Sequence, residues 1–261
     1  MSAQHAPLTK QPRRPGRPKH DSATTREVLL DTAEQMFATL GVEGASMRAI
    51  SMAAGLTHTA VNYHYRTKPL LLAAVLRRRG EEVGRRFAER LQELEDTGRK
   101  PTAQELVQAL LVPHVDVIRH DPVGGLHWLR IVARRLLERD PHLVGYLPAG
   151  LRDCLWRLLQ RTYPRVPDAL LQTIWSLCAA TLVQMLGNFD VAIAQTSARS
   201  RSEAITTYVD VLARFAASGF AELVADRALT KALTTLDLGT SPKLSRRSPR
   251  AAHRNGTGPL T

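Results

Sequence analysis

Apolar residues recur at helical spacing along most of the chain and nowhere alternate convincingly with period two. From Thr24 to Leu40, the residues Leu29, Ala33, Met36, Phe37 and Leu40 share one face. Thr24 and Glu27 have the spacing of a capping box, and Gly41 marks the end. Between Ser46 and Lys68, Ile50, Ala53 and Ala54 on one side and Leu56 and Val61 on the other flank Gly55. That pattern predicts a helix capped by Ser46, a sharp turn at a residue free to take positive φ, and a second helix capped by Thr57. Thr67 and Pro69 open a connector helix that reaches about Glu95, with Gly80 and Gly84 marking a joint. Further helices are predicted near 102–119, 123–139, 147–162, 167–194 and 202–225, with a kink at Pro113. The expected fold is all-α, with about nine helices forming a three-helix head and a larger helical body.

A short helix, a glycine turn and a second helix with outward polar side chains is the layout of a helix-turn-helix, here at about 47–66. The second helix of such a unit enters the major groove of DNA. Thr59, Asn62 and Tyr63 face outward in this reading, although Tyr63 has an apolar body that can instead cover the core of the head.

Charge strengthens the nucleic-acid reading. Of the net +12, nine charges sit in two tails. Residues 1–21 carry Lys10, Arg13, Arg14, Arg17 and Lys19 against Asp21, and residues 240–261 carry five basic residues and no acid. Residues 1–21 read as a disordered basic arm and 229–261 as a mostly disordered tail, leaving 22–68 as the DNA-binding unit and 69–228 as the body. The run Arg13–Lys19 resembles a Gly-Arg-Pro minor-groove hook, with Arg13, Arg14 and Arg17 as inserting groups. A basic tail without groove preference fits the same composition.

The segments near 167–194 and 202–225 are apolar on more than one face. Two such helices from each of two chains would form a four-helix interface, with Ile174, Leu182, Tyr208, Leu212 and Phe215 as candidate contacts; an intrachain core is the other reading. No apolar run approaches the ~20 residues of a membrane span, and none is expected. The two cysteines, Cys154 and Cys178, lack metal spacing. His114, His120 and His127 make no dependable metal site, and no catalytic triad or phosphate loop is present, so no metal, cofactor or enzyme activity is expected.

With these elements in place, the chain resembles the tetracycline-repressor (TetR/AcrR) family over about 24–225. The specific part is MRAISMAAGLTHTAVNYHYRTKPLLL. Ile50, Ala54, Gly55, Leu56 and Val61 match structural positions of the family's head signature, and Tyr63, His64, Tyr65 and Lys68 match the segment leading into its fourth helix. Ser51 replaces a usual alanine, Asn62 a frequent tyrosine and Pro69 a common glutamate.

The resemblance implies a cytoplasmic bacterial regulator, at the nucleoid when DNA-bound. It would be a homodimeric repressor released from a near-palindromic operator by a small-molecule effector. Carried over by position, Arg48, Thr57, His58, Thr59 and Asn62 would face bases or nearby phosphates, while Tyr63, His64 and Lys68 would hold the backbone. Candidate effector-pocket residues are Trp128, Leu129, Trp156 and Trp175, with ordinary core packing as the alternative. Arg130 and Arg134 share one side of their helix and can meet an anionic group or solvent. Two rival functions remain at this point: an architectural DNA-coating protein driven by the tails, and a helical enzyme.

Overall fold

The computed structural model describes residues 22–138, 148–194 and 200–235, and all regular structure among them is helical. In chain order the helices are α1 (Ser22–Gly44), α2 (Met47–Ala53), α3 (His58–His64), α4 (Lys68–Asp96), α5 (Ala103–His120), α6 (Gly124–Leu137), α7 (Leu151–Thr162), α8 (Asp168–Gly187), α9 (Phe189–Ile193), α10 (Arg201–Ala225) and α11 (Arg227–Thr235). One continuous apolar cluster runs from Leu29 in α1 to Phe220 in α10. The head rests on α4 and α6 through α1, while α8 packs against α6, α5 and α10.

Several boundaries differ from the expected ones, each for a local reason. The first helix starts at Ser22, so Thr24 and Glu27 lie inside it and the anticipated capping box does not form. Gly41 does break the helix, with φ 76° and ψ 163°, and one more turn follows to Gly44. No joint appears at Gly80 or Gly84: α4 is a single helix of 29 residues with both glycines buried, where the missing side chains allow close packing. A capping box does form at α5, where the Glu105 amide donates to Thr102 Oγ1 at 3.2 Å and the Thr102 amide donates to Glu105 Oε2 at 2.8 Å. Pro113 sits inside α5 and is buried.

The long helix expected over 167–194 ends at Gly187, and a separate turn, α9, follows. Arg130 of α6 explains the break. Its Nε donates to the Gly187 carbonyl at 3.1 Å and its Nη2 to Asp190 Oδ2 at 2.6 Å, while Phe189 turns into the core. Arg130 is therefore committed to this junction. The tail expected from 229 begins inside α11.

By length and composition α8 could cross a bilayer, contrary to expectation, with a mean hydropathy of 1.5 over its most apolar window. Leu170, Leu171, Ile174, Cys178, Leu182, Val183 and Leu186 instead bury one side of it in the chain's own core. Ile174, Leu182 and Leu212 thus face inward and are not free for a second copy. Tyr208 is half-buried and donates to the Met185 carbonyl at 3.0 Å, whereas Phe215 is 69% exposed.

Candidate nucleic-acid interface

The α2–α3 unit is held by short-range chemistry. Ser46 Oγ accepts from the Ala49 amide at 3.1 Å, and Thr57 Oγ1 accepts from the Ala60 amide at 3.2 Å, so each helix has its side-chain cap. Gly55 takes φ 66° between them, a left-handed conformation that side chains with a Cβ rarely adopt. Ile50 and Val61 are the buried contacts. Ala53, expected on the inner face, is exposed, and Ser51 is buried in its stead. The Ser51 hydroxyl donates to the Arg48 carbonyl at 2.8 Å, which is how serine is accommodated there.

His58, Thr59 and Asn62 project from α3 into solvent, together with Arg48 from α2. Tyr63 is 83% exposed, so it does not cover the core of the head. His64 is half-buried, with its ring edge-on to Tyr63 at 5.4 Å between centroids. Thr57 is exposed but spends a lone pair on its cap. Lys68 Nζ donates to the Val42 carbonyl at 2.8 Å and lies 3.8 Å from Glu43 Oε2. It neutralises the carbonyl end of α1 and ties α4 to it. Arg13, Arg14 and Arg17 lie outside the described residues.

Behind α1 lies a charge cluster that the sequence did not announce. Glu34 is 2% exposed and accepts from Arg78 Nη2 at 3.0 Å, Arg79 Nε at 3.2 Å and Arg79 Nη2 at 3.1 Å. Arg78 also binds Asp31 at 2.6 Å, and Arg79 binds Asp121 at 2.6 Å. Asp121 Oδ1 in turn accepts from the Gly124 amide at the start of α6. These charges join α1, α4 and the α5–α6 junction at one buried carboxylate.

In the body, Trp128 and Leu129 are fully buried, and Trp128 Nε1 donates to the Leu76 carbonyl at 3.0 Å. Trp156 and Trp175 are half-buried, the latter edge-on to Phe220. A cleft of about 270 Å³ opens between α4 and α5, lined in part by Arg78, Glu82, Arg86, Asp116 and His120, and none of the four pocket candidates borders it. Arg134 is exposed beside Gly41. Burial pushes His114 below its ordinary value despite its bond to the Leu110 carbonyl at 2.8 Å, so it is held neutral. Burial also pushes the Cys154 and Cys178 thiols up to about 11, which makes them poor nucleophiles. Among the described residues no three metal-ligating side chains come together.

The family described as "Bacterial regulatory proteins, tetR family" matches residues 29–75, and "Tetracyclin repressor-like, C-terminal domain" matches residues 108–219. Solved structures of similar fold include a TetR-like transcriptional regulator from Rhodococcus sp. RHA1, at 18% identity, covering 81% of this chain and 99% of that one with a TM-score of 0.49. The fatty acid degradation regulator FadR from Bacillus halodurans is similar at 17% identity over 74% of this chain and 94% of that one, TM-score 0.46. The ketosteroid transcriptional regulator KstR2 of Mycobacterium tuberculosis is similar at 16% identity over 73% and 93%, TM-score 0.45. No curated protein matches the chain.

Proposed function

The chain belongs to the TetR family of bacterial regulatory proteins, and from that premise we propose that it is a dimeric repressor whose α3 reads a near-palindromic operator and is released by a small-molecule effector. The observation that carries this reading is the doubly capped α2–α3 unit, which turns His58, Thr59 and Asn62 outward from a buried base of Ile50 and Val61. Asn62 has the donor–acceptor pair that matches adenine, and Arg48 has the fork that matches guanine. Tyr63 and His64 supply backbone contacts that orient the head. Residues 22–68 form the DNA-binding unit and 69–228 the body, while the basic segments on either side add phosphate attraction.

Dimerisation is supported by apolar surface that the single chain leaves bare. Only 39% of the apolar window of α8 is buried, and Leu177 and Met185 on α8 with Val211 and Phe215 on α10 are exposed. Covering that face with its copy would relate two α3 helices by a two-fold axis, the symmetry of a near-palindromic operator. Trp156 and Trp175 keep accessible surface for an effector in the body, whereas Trp128 and Leu129 would meet it only if the core opened. An effector that favours the conformation with misplaced heads lowers operator affinity in proportion to that preference. The protein acts in the cytoplasm, at the nucleoid when bound.

The test is binding to an operator selected from a random pool. Replacing His58, Thr59 and Asn62 with alanine should weaken the selected site far more than a random duplex, each base interaction removed costing about 1–3 kcal/mol. Equal weakening on both would remove α3 as the reader and leave the DNA-coating alternative, which predicts steep salt dependence without sequence preference.

A further inference from the structure

At the rim of the head, two residues 39 positions apart in sequence meet: Arg26 Nε donates to Tyr65 Oη at 3.0 Å. Tyr65 is the C-cap of α3, its amide closing the helix on the Val61 carbonyl, and its ring packs against the apolar core. Arg26 stands near the start of α1, exposed, in a helix with no acid in its first turn. Unlike Arg78, Arg79, Arg85 and Arg86, each held by carboxylates, Arg26 forms no ion pair among the described residues. Because the bond uses Nε, both terminal amino groups of the guanidinium remain available as a fork. Tyr65 accepts that bond, so its own O–H is left to donate, strengthened by the cation behind it.

We infer that Arg26 and Tyr65 form a phosphate clamp on the operator backbone, with Tyr65 fixing the guanidinium and adding a third donor. The seven residues of α3 span about 10 Å at 1.5 Å per residue. The major groove is about 12 Å wide, so with α3 seated in it a group held beside the end of that helix is within reach of the bordering phosphates. Arginine presents two parallel N–H donors to a phosphate, and here the fork is pre-positioned, which reduces the ordering cost of binding. The clamp rests on the assignment of α3 as the reading helix. It adds orientation and affinity without base information.

Binding of the full chain to a random-sequence duplex long enough for both heads, titrated across salt, tests the clamp apart from base reading. Arg26→Ala should lower affinity roughly tenfold per head and flatten the slope of log affinity on log salt by about 0.9 for each phosphate that is no longer neutralised. Arg26→Lys keeps the charge, so the slope should stay while affinity drops because the fork is gone. Tyr65→Phe should lower affinity roughly threefold at unchanged slope, and its effect should shrink in the Arg26→Ala background. Helix content and melting temperature serve as controls, since an exposed arginine contributes little to the core.

An unchanged salt slope in Arg26→Ala would overturn the clamp. A Tyr65→Phe effect that persists undiminished in the Arg26→Ala background would overturn the pairing. The His58, Thr59 and Asn62 alanine variant, measured on the selected operator, reports separately on α3. If it loses operator preference while Arg26→Ala keeps its slope, the clamp has failed and the reading helix has not.

Discussion

Glu34→Gln is the substitution that most directly probes how the head is joined to the body. The side chains are isosteric, so no cavity opens; what changes is one buried negative charge facing two guanidinium groups at 3.0 to 3.2 Å. Breaking a buried pair by removing one partner costs about 3–5 kcal/mol, because a charge is left uncompensated. Here each arginine retains a second carboxylate, Arg78 at Asp31 and Arg79 at Asp121, both at 2.6 Å. The expected destabilisation is therefore about 2–3 kcal/mol, below the full range. Urea unfolding should show a lower midpoint at unchanged slope. Hydrogen exchange should quicken in α1 and the N-terminal half of α6 before it does in α7 and α8. In a double-substitution cycle, Glu34→Gln with Arg79→Gln should cost less than the two separately. A midpoint that does not move, or additivity in the cycle, would refute the cluster as the tie between α1, α4 and the α5–α6 junction.

Gly125→Ala pits two effects against each other. Alanine favours a helix by about 1 kcal/mol, but its Cβ would stand 2.5 Å from the Val117 carbonyl oxygen, a backbone atom that cannot swing away. The clash should win with a net destabilisation of about 1–3 kcal/mol in thermal unfolding, and a stabilised variant would contradict the packing. His114 is kept neutral in the fold, so the unfolded chain binds more protons as pH falls below the ordinary 6.5. Stability is full above that value and declines as pH drops towards the folded value; His114→Gln should flatten the decline in a series of melts. Lys68→Met should destabilise the head by about 1 kcal/mol by removing the carbonyl cap, and an unchanged DNA salt slope would show that this lysine serves the fold. Phe215→Glu should leave helix content intact while light scattering falls from near twice 28.9 kDa towards that mass; a persistent dimer would move the interface off α10.

The head was legible because its determinants are local. Ser46, Gly55 and Thr57 act on residues at most three positions away, so caps and turn could be placed from spacing alone. What stayed hidden depends on distant partners. Nothing around Glu34 distinguishes it from a solvated carboxylate until Arg78 and Arg79 arrive 44 and 45 residues later. Periodicity carried α8 on through Phe189 to Ile193, because the apolar pattern continues there; Arg130, 57 residues earlier in sequence, ends the helix at Gly187. Lys68 matched a backbone-contacting position by motif, whereas its bonds to the carbonyls at the end of α1 depend on partners 26 and 25 residues earlier. Residues on α8 and α10 were apolar on two faces, so sequence could not decide which face met the chain's own core. Ile174, Leu182 and Leu212 took that side, and Leu177, Val211 and Phe215 the other.

These long-range contacts bear on regulation. The helix that carries Asp121's partner amide, α6, packs against both α1 and α8, so it touches the head and the helix that offers the bare apolar face. Arg130 fixes the C-terminal end of α8 to α6, and Glu34 fixes α1 to α4 beside the first residue of α6. At Gly124 a methyl group would run into the ends of the Arg79 and Asp121 side chains, so the cluster packs directly against that residue. A shift of α6 must then either carry Asp121 and its Arg79 contact with it or break the bond from the Gly124 amide. Close-packed contacts of this kind switch between discrete arrangements more readily than they bend. The operator-bound and released states of the head should therefore differ by a whole rearrangement of the Glu34 cluster, and Glu34→Gln, which loosens it, should weaken the dependence of DNA affinity on changes made in α6.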